Sequence, residues 1–297
     1  MNIIRGFKNL ENVNIGLGLF DGVHVGHREL IRELVSVSKS EKSIPVLITF
    51  TSSPSEKYNS DFKYITTLTE RETILSGLGV GYLVELDFDE ILINTKAEDY
   101  LEKLYSFFKP KYIFTGFNHT FGKERLGNSE MLEKYQNKYS YQYKKIEPVK
   151  YENSVVSSTL IKKFLEVGDI EKANELLVNK YFISGRVIKG NQIGQKLGYP
   201  TANIKYPENK VQIPFGVYSA EVVAGGCSYK GMLNYGIKPT INDNKNEPVA
   251  EVHIIGFNKD IYGEELKISI IKKIRDEKKF ESLDELKNQI KRDIDLC

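Results

Sequence analysis

The sequence predicts an α/β domain built on a parallel sheet, followed by an antiparallel β-barrel domain that ends in a helix. Three observations carry this expectation. The chain has 297 residues, enough for two domains of roughly 150 residues each. Its first 180 residues alternate between strand and helix periodicity, which implies right-handed crossovers and a parallel sheet. From Tyr181 the texture changes to short β-branched and aromatic runs separated by Gly, Pro and Asn, the punctuation of an antiparallel barrel or sandwich. The boundary therefore falls near 178–184, dividing the chain into 1–180 and 181–297.

Each element has its own signal. Residues 13–20 are apolar with small residues and read as a strand. In 29–37, Leu30, Ile31, Leu34 and Val37 recur at helical spacing. PVLITF at 45–50 is a short buried strand. Thr69 and Glu72 suggest a capping box before a short helix that ends near Gly77 and Gly79. Residues 82–86 and 112–115 are further strands, with a helix over 99–108 between them. Residues 157–178 read as two short helices. The later runs YFISGRVI, GVYSAEVV, YKGMLNYG, AEVHIIGF and LKISIIKKI are strands. Ser282 and Glu285 form a second capping box, opening a last helix whose apolar face is Leu283, Leu286 and Ile290.

Composition narrows the function. Charged residues make up 28% and hydrophobic ones 40%, which fits a globular protein and argues against disorder. Forty-two Lys and Arg against forty Asp and Glu leave +2, a balance that does not favour a general nucleic-acid binder. Cys227 and Cys297 are too few for a disulfide framework or a cysteine metal site. No apolar run approaches the roughly 20 residues of a membrane span, and the N-terminus lacks a signal-peptide core. A cytoplasmic protein, monomeric by default, with neither membrane nor nucleic-acid partner, is expected.

The strongest local signal is GLFDGVHVGH at 18–27, at the first strand-to-helix junction. Two of the four histidines, His24 and His27, stand three residues apart here. Gly22 and Gly26 let the backbone bend and approach a ligand closely. The N-terminus of the following helix suits phosphate. His24 and His27 then supply hydrogen bonds to a phosphate whose charge rises in a transition state. A histidine pair that caps the helix or binds metal is the alternative, although no third metal ligand stands nearby. Other nucleotide motifs fail: Gly16 and Gly18 start a dinucleotide fingerprint that breaks at its third glycine, and no P-loop occurs. The run of Lys272, Lys273, Arg275, Lys278 and Lys279 reads as a solvated face, and Ser157, Ser158 and Thr159 either cap the next helix or join Lys162 in a phosphate site.

GLFDGVHVGH resembles the HxGH signature of nucleotidylyltransferases, in the form GxFDGxHxGH of the bacterial bifunctional riboflavin kinase/FAD synthetases. Further segments are similar to that family's in order. TGFNHTFG (115–122) resembles VGxNFxFG, VSSTLIK (156–162) resembles ISSTxIR, and LGYPTAN (197–203) resembles LGxPTAN. PFGVY, GMLNYGIKPT (231–240), EVH (251–253), DIYG and RDEKKF (275–280) complete the second half. The departures are Lys162 for the family's arginine, FTSSP at 50–54 for its PHP segment, Gln195-Lys196 for Gly-Arg, Gly256 for an aspartate, and His119 for a phenylalanine.

The resemblance implies a Rossmann-like nucleotidylyltransferase domain and a riboflavin kinase barrel. Riboflavin would be phosphorylated by ATP to FMN and ADP, then FMN adenylylated to FAD with loss of pyrophosphate. Glu251 would be the kinase base, and Thr201 and Asn203 would hold Mg²⁺ with the nucleotide. Gly18, Phe20, Asp21, Gly22, Gly26, Ser157, Ser158, Thr159 and Lys162 would bind ATP in the first domain. The loop from Gly185 to Gly198, with Gly190, Lys196 and Pro200, would wrap it in the second. Asn118, Phe121 and Arg275 would face flavin. A kinase-only protein and a flavin-sensing regulator are the other readings, though no basic helix-turn-helix is evident.

Overall fold

The computed structural model describes all residues except Pro54, Lys57, Tyr58, Ser60, Asn191, Gln192 and 238–247, and only the backbone of Ile193 and Lys196. The last three residues of GMLNYGIKPT, the proline of FTSSP and the Lys196 side chain thus lie outside the described residues. The chain divides into two compact units, Met1–Ser158 and Thr159–Cys297.

The first unit holds a six-stranded sheet in the order β1-β4-β3-β2-β5-β6. Its strands are β1 (Asn2–Arg5), β2 (Val13–Leu17), β3 (Ile44–Phe50), β4 (Tyr82–Leu86), β5 (Tyr112–Gly116) and β6 (Gln142–Ile146), all paired in parallel. Every residue of β2 is buried, as expected of a central strand covered on both faces. Between the strands run α1 (Val25–Ser40), α2 (Leu68–Ser76), α3 (Glu90–Asn94) and α4 (Ala97–Phe108), then the short α5 (Ser129–Lys134) and α6 (Gln136–Tyr139). In α4, Ala97, Tyr100, Leu101, Leu104 and Phe108 form one buried face, and each such side chain contributes about 1.5–3 kcal/mol. The chain steps from β2 through β3 to β4 on one side, then returns to place β5 on the other side of β2. In open α/β sheets that reversal marks a ligand crevice at the strands' carboxyl ends.

Three details differ from the sequence reading. The capping box is Thr67 with Glu70, two residues before the expected pair, so α2 starts at Leu68. Strands β1 and β6 were not legible: β1 is largely exposed at the sheet edge, and β6 (QYKKI) has no buried residue. Helix α1 begins at Val25, inside the glycine-histidine motif, four residues earlier than its apolar spacing implies.

The short strands β7 (Lys150–Tyr151) and β8 (Ser154–Val155) pair as a hairpin, α7 (Ser158–Val167) and α8 (Ile170–Leu176) precede the barrel strands of the second unit, and the short α9 (Ile193–Lys196) follows the first of those strands. Those strands are β9 (Phe182–Arg186), β10 (Ala202–Lys205), β11 (Gly216–Ala224), β12 (Cys227–Ile237), β13 (Pro248–Ile254) and β14 (Glu265–Asp276), in the antiparallel order β10-β13-β12-β11-β14-β9. The β11–β12 hairpin turns on Gly225 and Gly226, both with positive φ, as a two-residue primed turn requires. A bridge from Ile188 to Asn203 brings the two ends of the sheet together, leaving the barrel nearly closed. The short β10 lay hidden within LGYPTAN. Helix α10 (Leu283–Asp295) starts at the Ser282 cap, but the Glu285 carboxylate accepts from Glu281 N–H rather than from Ser282. Leu283 is 65% exposed and so is not part of that helix's packed face.

The compact second unit begins about twenty residues before the texture change. Asn174 of α8 accepts a hydrogen bond from Tyr181 N–H at 2.7 Å and donates to the Ile270 carbonyl at 2.9 Å. It thereby ties α8 to β14.

Candidate active sites

The first site grows from the carboxyl end of β2, beside β5, at the reversal of strand order. The chain leaves β2 through a turn in which Phe20, Gly22 and Val23 all have positive φ (56°, 78° and 42°). Left-handed backbone at a phenylalanine and a β-branched valine costs about 1–3 kcal/mol each, and such strain persists only where the surroundings fix it. Phe20 and Val23 are fully buried here. Asp21 Oδ1 accepts from the N–H groups of Ile65 and Thr66 at 2.9 and 3.2 Å, and Gly22 N–H donates to Thr66 Oγ1 at 3.0 Å. A Cβ on Gly22 would lie 2.9 Å from the Ile65 side chain, so no larger residue fits. From α2, the buried Arg71 guanidinium donates to the carbonyls of Leu19 and Phe50 at 2.6 and 2.9 Å. Ser158 Oγ donates to the Asp21 carbonyl at 2.9 Å, which ties Ser158 to the glycine-histidine turn. Asp21 thus points at backbone amides and staples the turn.

His24 is the N-cap of α1, and its Nδ1 accepts from His27 N–H at 3.3 Å. That bond leaves Nε2 as the ring's protonated nitrogen and its only donor. The two imidazoles stack with centroids 3.6 Å apart. Gly26 allows this, because a Cβ there would touch the His24 ring. Burial lowers the His24 pKa to about 4. His27 is lowered well below its ordinary value, first by burial and then by His24 and Arg71. Both rings are neutral at pH 7. Among the described residues, the buried His27 Nδ1 has no hydrogen-bond partner.

TGFNHTFG begins in β5 and runs on past its carboxyl end. Asn118 is exposed and Phe117 is 39% exposed. Phe121 lies in the core against Tyr100, and Gly127 has no room for a Cβ beneath its ring. His119 stacks on Phe121, and burial lowers its pKa to about 4. Ser157 and Thr159 flank Ser158, and Lys162 follows one turn along α7.

The second site is written across the barrel sheet. Residues directly opposite on neighbouring strands share a face, and one row runs Asn203–Glu251–Asn234–Val217–Arg275 over five strands. Ala250, Val252 and Ile254, on the other face of β13, are core. The site face floors a cavity of about 590 Å³, within the span of about 300–1,000 Å³ usual for small-molecule sites. Tyr199, Leu197, Met232 and Phe280 give it apolar walls, and α10 adds Leu286, Ile290 and Asp293. Thr201 Oγ1 donates to Glu251 Oε1 at 2.8 Å. Arg275 is held by the buried Asp293 at 2.8–3.2 Å, and Gln289 donates to the same carboxylate.

The glycines divide by role. Gly185 is not part of a loop. It lies within β9 opposite Leu266, where a Cβ would strike Ile204 at 2.7 Å. Gly190 leaves space for the Asn203 amide, and Gly198 takes φ +85° before Tyr199. Pro200 is exposed, but its carbonyl meets His253 Nδ1 at 2.8 Å. Of the expected second-site residues, Thr201, Glu251 and Arg275 line the cavity and Asn203 sits in the same row. Sequence reasoning passed over Asn234 and His253 as site residues. The available signal was the period of two: His253 follows Glu251 by two positions on one strand face.

Comparison with known proteins gives a concordant picture. The FAD synthetase family model matches residues 7–160 and the riboflavin kinase family model matches residues 177–297. A bifunctional riboflavin kinase/FMN adenylyltransferase of Buchnera aphidicola subsp. Schizaphis graminum is 35% identical, over 100% of this chain and 97% of its own. The Escherichia coli K12 protein of that name is 32% identical, over 99% and 96%. A solved structure described as a macrolide-efflux protein from Streptococcus pneumoniae superposes with a TM-score of 0.90 at 31% identity, over 100% and 98% of the two chains. Among the described residues, no helix here is long and apolar enough to cross a membrane.

Proposed function

This chain belongs to the family of bifunctional riboflavin kinase/FMN adenylyltransferases, and we propose how its own residues divide the two reactions. The second unit phosphorylates riboflavin with ATP, giving FMN and ADP. The first adenylylates FMN with a second ATP, giving FAD and pyrophosphate. The observation that carries the residue assignment is the row Asn203–Glu251–Asn234 at the cavity floor, with the Thr201 hydroxyl already bonded to Glu251.

In the kinase centre a ribityl hydroxyl takes the place of Thr201 as the donor to Glu251. The carboxylate accepts that proton as the hydroxyl oxygen attacks the γ-phosphorus and ADP leaves. The apolar walls and α10 bind the flavin ring, and Arg275 borders it. Thr201 and Asn203 offer hard neutral oxygens beside a carboxylate, a donor set that fits Mg²⁺ carried mainly by the nucleotide's phosphates. Among the described residues, no three His, Cys, Asp or Glu side chains form a metal cluster, consistent with an ion that arrives with ATP. When bound, Mg²⁺ offsets phosphate charge. The loop with Gly190, Gly198 and Pro200 covers the phosphates, with Lys196 as its cation.

In the adenylylation centre the FMN phosphate is already ionised at pH 7, so no protein base is required. Its oxygen attacks the α-phosphorus of ATP, and the bond to pyrophosphate breaks. The Gly18–Gly26 turn binds the phosphates, and His24 Nε2–H and the His27 ring donate to the charge that develops there. Ser157, Ser158, Thr159 and Lys162 serve the same phosphates, and Asn118 belongs to the flavin side, whereas Phe121, expected to face flavin, is packed in the core against Tyr100 and can only support that segment from behind. A cytoplasmic monomer that engages neither membrane nor nucleic acid completes the proposal.

The test is product analysis of protein incubated with riboflavin, ATP and Mg²⁺. FMN followed by FAD is expected. FMN alone would leave only the kinase, and neither product would overturn the assignment.

A further inference from the structure

Glu251 and His253 project from the same face of β13, and each grips one of two consecutive residues in the facing loop. Glu251 Oε1 accepts from Thr201 Oγ1 at 2.8 Å, and His253 Nδ1 meets the Pro200 carbonyl at 2.8 Å. A carbonyl oxygen only accepts, so Nδ1 carries a proton and is the donor. Tyr199 packs edge-on against the imidazole, with centroids 5.6 Å apart, and His253 is 9% exposed.

The two grips have different fates during turnover. Thr201 must release Glu251 for the ribityl hydroxyl and turn its oxygen to the nucleotide. Once it does, the Thr201–Glu251 bond no longer fixes the loop on β13. The His253–Pro200 bond uses no atom that either substrate needs, and it remains. The geometry points to His253 as a positioning residue of the kinase centre: its Nδ1–H holds the Pro200–Thr201 segment at the nucleotide's phosphates while Thr201 changes partner. This rests on the roles given above to Glu251 and Thr201.

The test separates the two ring nitrogens. His253→Asn keeps an N–H donor one atom beyond Cβ, where Nδ1 stands. His253→Gln moves the amide outward toward the position of Nε2. His253→Phe keeps a ring against Tyr199 and removes every donor. Riboflavin phosphorylation is measured with ATP and with riboflavin varied, alongside thermal unfolding. Losing this part-buried hydrogen bond, and with it the loop's hold on β13, lowers kcat/KM for ATP by roughly 10-fold. That loss is expected in His253→Phe and His253→Gln as a raised KM for ATP, with KM for riboflavin unchanged, and His253→Asn should recover most of it. Recovery by Gln rather than Asn would overturn the inference, because the ring would then act through Nε2. Equal losses in all three variants with a lowered Tm would reduce His253 to packing, and three unchanged variants would remove its role. If the unaltered protein makes no FMN, the assignment of the site fails first, and this inference with it.

Discussion

Replacing Glu251 with Gln isolates its basicity from its place in the structure. Glu251 Oε1 accepts the Thr201 hydroxyl at 2.8 Å. A glutamine amide oxygen occupies that position and accepts the same bond. Asn203 and Asn234, its cross-strand neighbours, are neutral amides. Thermal unfolding of the variant should therefore show a smaller effect than its rate does. The rate should change much more. A positioned general base contributes about 10²–10⁴-fold, which is about 3–5 kcal/mol of barrier at 1.36 kcal/mol per decade. Chromatography of products from riboflavin, ATP and Mg²⁺ should show FMN formation reduced by that factor, while KM for ATP changes little. Supplied with FMN, the same variant should make FAD at the normal rate, since that chemistry is assigned to His24, His27 and Lys162. Near-normal riboflavin phosphorylation would make Glu251 a strand-surface carboxylate. Loss of both activities would mean a single shared site.

Other outcomes follow from the same contacts. His27→Ala should lower FAD formation from FMN by about 10²–10³-fold and spare FMN formation; equal loss of both, read by the same chromatography, would assign the turn a folding role. Lowering the pH from 6.5 toward 4 should destabilise the first unit, because the unfolded chain then takes up protons on His24, His27 and His119 that the folded chain excludes. Glu85 acts in the opposite sense between about 4.5 and about 7, where burial and Glu72 keep its folded carboxyl protonated, so Glu85→Gln should steepen the acid-side fall in a Tm-versus-pH series. A fragment of residues 159–297 should phosphorylate riboflavin and unfold at a higher temperature than one of residues 183–297, which lacks the Asn174 bonds to Tyr181 and Ile270.

Sequence legibility followed burial. Strands β2, β3 and β4 and the barrel strands other than β10 were readable because buried faces impose runs of apolar or β-branched residues. Strand β6 was not, because Tyr143 and its neighbours are only partly covered and carry three polar residues in five. At the sites, Gly22, His24 and His27 stood out by type and spacing, whereas Glu251 reads by itself as a strand-surface carboxylate and drew notice only through the family resemblance. Residues whose role is to hold others did not. Arg71 lies forty-nine positions from Gly22, yet it fixes the Leu19 carbonyl inside the motif and the Phe50 carbonyl at the end of the neighbouring β3. Asp293, which grips Arg275, is one of several charged residues in the last helix and has no spacing or neighbour in the sequence that marks it.

The two centres share a device that explains why their histidines survive burial. An imidazole with one nitrogen bonded to main chain has its proton placed before any ligand arrives. At His24 the partner is an N–H, so Nδ1 is the acceptor and Nε2–H is the available donor. At His253 the partner is a carbonyl, so the proton sits on Nδ1. The difference matches the two chemistries. Adenylyl transfer needs a donor aimed at growing phosphate charge, and a neutral ring supplies one without attracting a proton at pH 7. Phosphoryl transfer to a hydroxyl needs a carboxylate to accept the proton, with the loop beside it held by a bond that neither substrate displaces. A main-chain group of opposite polarity at each ring thus gives one residue type two roles in one chain.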